Sequence, residues 1–150
     1  SSNQEFPLRI RRFIELAGLS LVMTVSIPAG IASAQDLKSL QGAWLAKSSD
    51  CTDVYTMSAK GISFKKPVDL FAPAFIVSGN RLTTPGASCR IKSVRPSGNL
   101  LELALDCVNA VGSNDVRVLM ARQPDGSLNR YLNAQDTIGS PHQDCARRPQ

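Results

Sequence analysis

Cys51, Cys89, Cys107 and Cys145 are the residues whose type and number carry definite chemistry in this chain. Their count is even, and no Cys-x-x-Cys occurs, so neither a redox pair nor a zinc ribbon is indicated. Two structural disulfides are the fitting interpretation. His142-x-x-Cys145 has ligand-like spacing but no second pair to complete a metal site. His142 is the single histidine, so a Ser–His–Asp or Cys–His device would have to use it. No Gly-x-Ser-x-Gly elbow accompanies it. Asp50 and Asp53 flank Cys51, and Asp106 adjoins Cys107, but acidic residues at strand ends are ordinarily solvated turn residues. There is no phosphate-binding loop and no dinucleotide fingerprint. The expectation is a protein without catalytic residues, metal or cofactor.

Four cysteines allow three pairings. Leu101, Leu103, Leu105 and Cys107 alternate with Leu100, Glu102, Ala104 and Asp106, a period-two pattern with its strongest apolar face on the odd positions. Pro96-Ser97-Gly98-Asn99 supplies turn chemistry just before it. Folding this hairpin about Gly98 sets Cys89 opposite Cys107 and Ile91 opposite Leu105. That register needs an odd-length loop, of which a three-residue form is common. Cys51–Cys145 is then the second bridge. The chain-entropy model assigns the long span about 4–5 kcal/mol and the hairpin bridge about 3. The alternative, Cys51–Cys89 with Cys107–Cys145, joins two equal spacings and stays open at this level.

An oxidising destination for these thiols is written in the first 34 residues. Arg9, Arg11 and Arg12 form a basic head, Leu16 through Ile27 is a mostly apolar run, and Ala32-Ser33-Ala34 offers small residues to a signal peptidase. A bilayer-spanning helix needs about 20 apolar residues. Glu15, Pro28 and Gly30 shorten this run below that length. Cleavage after Ala34 is expected, with a retained anchor as the alternative. Residues 35–150 then form one domain, small enough to profit from covalent staples. The whole chain carries a formal charge of +5, with the cations scattered. Lys65-Lys66 and Arg147-Arg148 are the basic pairs of the domain, and no basic stripe interleaved with aromatics suggests a nucleic acid.

Residues 35–150 divide into short strands separated by turns. Strands are expected at 42–46, 54–58, 62–65, 75–77, 81–84, 88–95, 99–107, 116–122 and 128–132. A helical turn is expected at 36–41 and an irregular tail from Asp136 onward. Eight or nine strands at regular short spacing predict an all-β fold: a small antiparallel up-and-down barrel or sandwich of about eight strands with two disulfides. Closure removes edge strands. Eight short strands leave an interior that side chains nearly fill.

Leu40-Gln41-Gly42-Ala43-Trp44 places Gly-x-Trp at the entrance to the first strand. This resembles the opening motif of calycin-type barrels, which include the lipocalins and small bacterial periplasmic inhibitors of metalloproteases. The resemblance covers these residues and the strand pattern, and four cysteines exceed the single bridge of the inhibitor group. It implies structural roles for Gly42 and Trp44. Trp44 would plug the closed end of the barrel against a basic side chain from a late strand, for which Arg130 is the candidate. A cation over an indole face contributes roughly 0.5–2 kcal/mol.

Recognition falls most naturally on the segment 65–75. Lys65 and Lys66 open it, two prolines stiffen it, and Val68, Leu70, Phe71 and Phe75 are more apolar than a solvated loop requires. Exposed, these residues form a docking patch for a protein partner; packed down, they form a flap over the barrel end. The functional expectation is an exported, non-catalytic binding module with a protein partner in the envelope, in its concrete form an inhibitor of an extracytoplasmic hydrolase. The alternatives are a carrier of a small apolar ligand and an accessory subunit of an envelope complex held by an uncleaved N-terminal segment. Membrane contact is expected only in that last case.

Overall fold

The computed structural model describes residues 30–147. The basic head and apolar run of the expected export signal lie outside the described residues. The Ala34–Gln35 bond falls inside a helix, α1 (Gly30–Ser39), which begins earlier than the helical turn expected from the sequence. Among the described residues no helix is long and apolar enough to cross a membrane.

The strands follow as β1 (Gly42–Ala46), β2 (Tyr55–Ser58), β3 (Gly61–Phe64), β4 (Ala74–Ser78), β5 (Arg81–Thr84), β6 (Ala87–Ser97), β7 (Leu100–Asn109), β8 (Ser113–Arg122), β9 (Leu128–Tyr131) and β10 (Ser140–Asp144). A single helical turn, α2 (Cys51–Val54), precedes β2; Asp50 caps it by accepting the Thr52 amide at 2.8 Å. Eight strands close into an antiparallel barrel in the order β1-β10-β9-β8-β7-β6-β5-β4, with β1 bonded to both β10 and β4. Chain order is thus up-and-down, and β2–β3 is a hairpin outside the barrel.

The segment from Asp136 onward is not wholly irregular. It contains β10, without which β1 and β9 would both present open edges. Ser-Pro-His-Gln-Asp has no β-branched or aromatic repeat to announce a strand. It is held by its neighbours on both sides and by Cys145, whose amide donates to the Ala43 carbonyl at 2.7 Å.

Both disulfides form as the hairpin geometry predicts, Cys89–Cys107 across β6 and β7 and Cys51–Cys145 between α2 and the end of β10. The register also holds, with Cys89 opposite Cys107 and Ile91 opposite Leu105. The device that sets it differs from expectation. Ser97 pairs with Leu100, so the turn is the two-residue Gly98-Asn99, with Gly98 at φ 61°. The odd residue sits instead at Lys92, where the ladder shifts between Ile91 and Ser93. A one-residue bulge flips the faces of a strand. Inward positions on β6 therefore change from Cys89 and Ile91 to Val94, and all three are buried.

Trp44, Phe75, Val77, Leu82, Ile91, Val94, Leu103, Leu105, Met120 and Leu128 point into the barrel, joined by Leu40 from the end of α1. A second core lies outside the wall. Ala43, Leu45 and Ala74 face outward and are covered by Tyr55, Ile62 and Phe64 of the β2–β3 hairpin and by the Cys51–Cys145 bridge. Tyr55 stacks on Phe64 at 5.4 Å, and its hydroxyl lies 2.8 Å from the Trp44 carbonyl and 3.2 Å from that of Phe75, at the β1–β4 seam. Burial pushes this phenol well above its ordinary range. Lys92–Asp115, Arg117–Glu102 and Arg90–Asp106 pair on the exposed face of β6–β8, where such pairs contribute little.

Gly42 opens β1 at φ 149°, and a Cβ there would lie 3.1 Å from Asp144 Oδ1. Gly42→Ala is expected to lower stability by about 1–3 kcal/mol, since it meets both a disfavoured backbone region and the carboxylate. Urea unfolding of the variant measures this; an unchanged midpoint would refute it.

Candidate functional site

The two ends of the barrel differ. At one end the C-terminus of α1 enters the bore. Leu40 and Trp44 are fully buried there, and Trp44 Nε1 donates to the Leu40 carbonyl at 2.9 Å. Gln41 ties α1 to the β4–β5 turn through reciprocal amide bonds with Gly79, 2.7 Å to its N–H and 3.0 Å to its carbonyl. The cation over the Trp44 face is Arg122, 4.7 Å from the ring centroid, and not Arg130. Arg122 ends β8 beside α1 and also donates to the Ser39 carbonyl. Arg130 lies on the next strand opposite Met120, turned to the other half of the bore. The resemblance implied a late-strand cation over Trp44 at Arg130, and the structure places Arg122 there instead.

The other half is hollow, contrary to the expectation of a filled interior. A cavity of about 450 Å³ lies between the β4–β10 walls. Leu82, Leu105, Val116, Val118 and Met120 line it together with Phe75 and the Cys89–Cys107 bridge. The end of α1 fills only the opposite end of the bore, around Leu40 and Trp44. Asn109 and Asn114 stand at the rim, as does the Thr84–Ala87 turn.

Two further polar groups reach the cavity. His142 is buried on β10 and rests against Phe75, with ring centroids 5.4 Å apart. Its Nδ1 lies 2.8 Å from the Ser140 carbonyl. A carbonyl only accepts, so Nδ1 carries the proton and Nε2 presents its lone pair. No sealed side-chain nitrogen or oxygen among the described residues lacks a partner, so this otherwise unbonded Nε2 opens on the cavity. Burial foremost, and then the Arg130 charge, hold the imidazole below its ordinary value, against the opposing pull of the Ser140 carbonyl. The unfolded chain therefore binds the extra proton first, and stability attributable to His142 is lost as pH falls from about 6.5 through the lowered folded value. The stability gap between the wild type and His142→Gln is expected to narrow between pH 7.5 and 5. A gap independent of pH would contradict it.

Arg130 faces the same space. It pairs with Met120 on one side and with Ser140, two residues from His142, on the other. It is exposed at the mouth and makes no ion pair among the described residues. No Asp or Glu lines the cavity.

The segment 65–75 is divided rather than packed down or exposed as a unit. Phe75 is core, Val68 is half-buried, and Lys65 and Lys66 are exposed. The Lys65 amide donates to the Val54 carbonyl and its Nζ to that of Thr52, which pins the start of the loop to α2. Leu70 and Phe71 stand out at 64% and 93% exposure. Asp69 accepts the Phe71 amide at 2.9 Å and fixes this tip, and Leu70 borders the cavity mouth.

A polar depression of about 350 Å³ near the β8–β9 turn holds the Lys47–Asp125 and Arg147–Asp144 pairs, and its remaining charge, Arg122, is the one stacked on Trp44. The Ser127 hydroxyl and amide, foremost, hold Asp125 down at about 2. Among the described residues no group of three or more His, Cys, Asp or Glu could hold a metal ion.

Sequence reasoning weighed His142 only as a metal-ligand or catalytic candidate, and treated Val116, Val118 and Met120 only as strand residues. The alternation of 116, 118 and 120 was a signal for an inward face, whereas nothing in Ser140–Asp144 marks a wall.

Fold and site together define a disulfide-stapled, eight-stranded antiparallel barrel, plugged at one end and hollow at the other. Comparison with family models, with curated proteins and with solved structures returned no match for this chain.

Proposed function

We propose that the protein is an extracytoplasmic binding protein that holds a small apolar ligand in the hollow half of its barrel and catalyses no reaction on it. The observation that carries this reading is the cavity of about 450 Å³ with its apolar wall. Small-molecule sites typically occupy roughly 300–1,000 Å³. Two disulfides fit an oxidising environment, and the basic-headed apolar leader supports periplasmic or secreted placement. A non-catalytic role is favoured because His142, the one base in the lining, has no activatable nucleophile there to serve: both cysteines are bridged, and the one hydroxyl, that of Thr84, is bonded into the β5–β6 turn.

Titration with the neutral fluorophore N-phenyl-1-naphthylamine tests it. Saturable one-to-one enhancement is expected, and Ala87→Trp, which sets an indole in the mouth, is expected to remove it. A wild type without saturable uptake discards the reading.

A second reading, a protein partner such as an exported hydrolase, rests on Phe71. An aromatic side chain at 93% exposure beside an exposed Leu70 suits an anchor. Titration against a panel of proteases and lysozymes tests it. Inhibition lost in Phe71→Ser supports this reading, and no inhibition of any enzyme discards the inhibitor form.

A further inference from the structure

The charge inside the cavity is one-sided. Its lining holds one guanidinium, Arg130, and no carboxylate. Arg130 has no ion-pair partner among the described residues, although every other barrel-wall cation on β6 and β8, Arg95 apart, is paired, bonded or stacked. It stands where the apolar wall meets the mouth, on the inner face between Met120 and Ser140. Its diagonal neighbour His142 offers no negative charge, because its imidazole is neutral or cationic. A ligand with a purely apolar surface would leave this cation unanswered, and a cationic one would be repelled.

Resting on the proposed binding role, we infer that the ligand is an apolar monocarboxylate, its tail against Leu82, Leu105, Val118 and Met120 and its carboxylate on Arg130. The planar two-oxygen head matches the donor fork of a guanidinium. One cation calls for one negative charge, which favours a carboxylate over a dianionic phosphate. At about 30 Å³ for each water-sized group, the volume takes roughly fifteen heavy atoms, which suits a medium-length chain or a compact ring system bearing the acid. Asn109 and Asn114 add amide donors at the rim and no charge.

Isothermal titration of the intact disulfide-bonded protein with decanoate, decan-1-ol and decyltrimethylammonium tests the inference. Charged hydrogen bonds of this kind separate ligands by tenfold or more. Decanoate is expected to bind at least tenfold more tightly than decan-1-ol, with decyltrimethylammonium weakest. Arg130→Gln is expected to bring decanoate to within about twofold of the alcohol while leaving alcohol affinity unchanged, and Arg130→Lys to restore part of the preference. Because the Arg130 side chain is exposed and unpaired, Arg130→Gln should fold, and the alcohol titration verifies that its cavity is intact. Equal binding of acid and alcohol to the wild type overturns the carboxylate assignment and leaves the apolar-ligand reading standing. Absence of binding by all three overturns both.

Discussion

Replacing Cys51 and Cys145 together by alanine is expected to lower unfolding free energy by about 4–5 kcal/mol, the largest effect of any small change in this molecule. The bridge closes a 94-residue loop, and removing a closure of that length releases the most entropy in the unfolded chain. The native state also loses contacts. Cys145 is buried in the outer core and follows directly on β10, the strand that closes the barrel and carries His142. Replacing Cys89 and Cys107 is expected to cost about 3 kcal/mol, because that loop spans only 18 residues and β6–β7 is already a long ladder. Urea unfolding followed by circular dichroism orders the two. If the hairpin pair proved the costlier one, native-state contacts rather than chain entropy would set the stabilisation. The longer-range loss has a functional reading as well: with β10 less firmly held, fluorophore uptake should weaken in the Cys51/Cys145 variant before global unfolding begins.

Trp44→Ala is the second large effect, at about 3–5 kcal/mol. Trp44 is completely buried at the plugged end, so its removal opens a void that the surrounding strands can fill only in part. Two specific interactions go with it, the Nε1 bond to the Leu40 carbonyl and the Arg122 guanidinium above the ring. The first joins α1 to β1, and its loss should loosen the plug. Trp44→Phe should be milder, since it keeps an aromatic face under Arg122 and gives up the N–H bond. Arg122→Ala alone should cost roughly 0.5–2 kcal/mol, plus its contact with the Ser39 carbonyl. A double-mutant cycle over Trp44 and Arg122 isolates the cation–aromatic attraction. A coupling indistinguishable from zero would mean that the indole acts only by packing. Ligand uptake at the hollow end should survive Arg122→Ala, because Arg122 does not line that cavity.

Much of the barrel was legible because its strands carry their own signals. The alternation from Leu101 to Cys107 declares an inward face, and Cys89 could be set opposite Cys107 by folding at Gly98. Turn residues mark most other strand ends. The errors have physical causes. An odd loop and an even turn plus a bulge produce the same Cys89–Cys107 register, and no local residue type distinguishes Lys92 as the extra one. Ser140–Asp144 lacks strand propensity because its conformation is imposed by β1 and β9. Arg130, the partner that the resemblance implied for Trp44, faces the other end of the bore, and Arg122 takes that place from the end of β8 beside α1.

From its sequence alone, this protein was determined to be a short all-β chain, stapled by two disulfides, with Trp44 at the entrance to its first strand. Periodicity, turn chemistry and cysteine count are local properties, and each is readable without knowing the partner across the sheet. Only the tertiary structure decided that half the bore stays hollow, that β10 completes the wall, and that Arg130 faces an apolar cavity with no carboxylate beside it. Those facts depend on closure: the radius of the barrel and the stagger of its strands are set jointly by eight segments, and no single segment encodes the space they enclose.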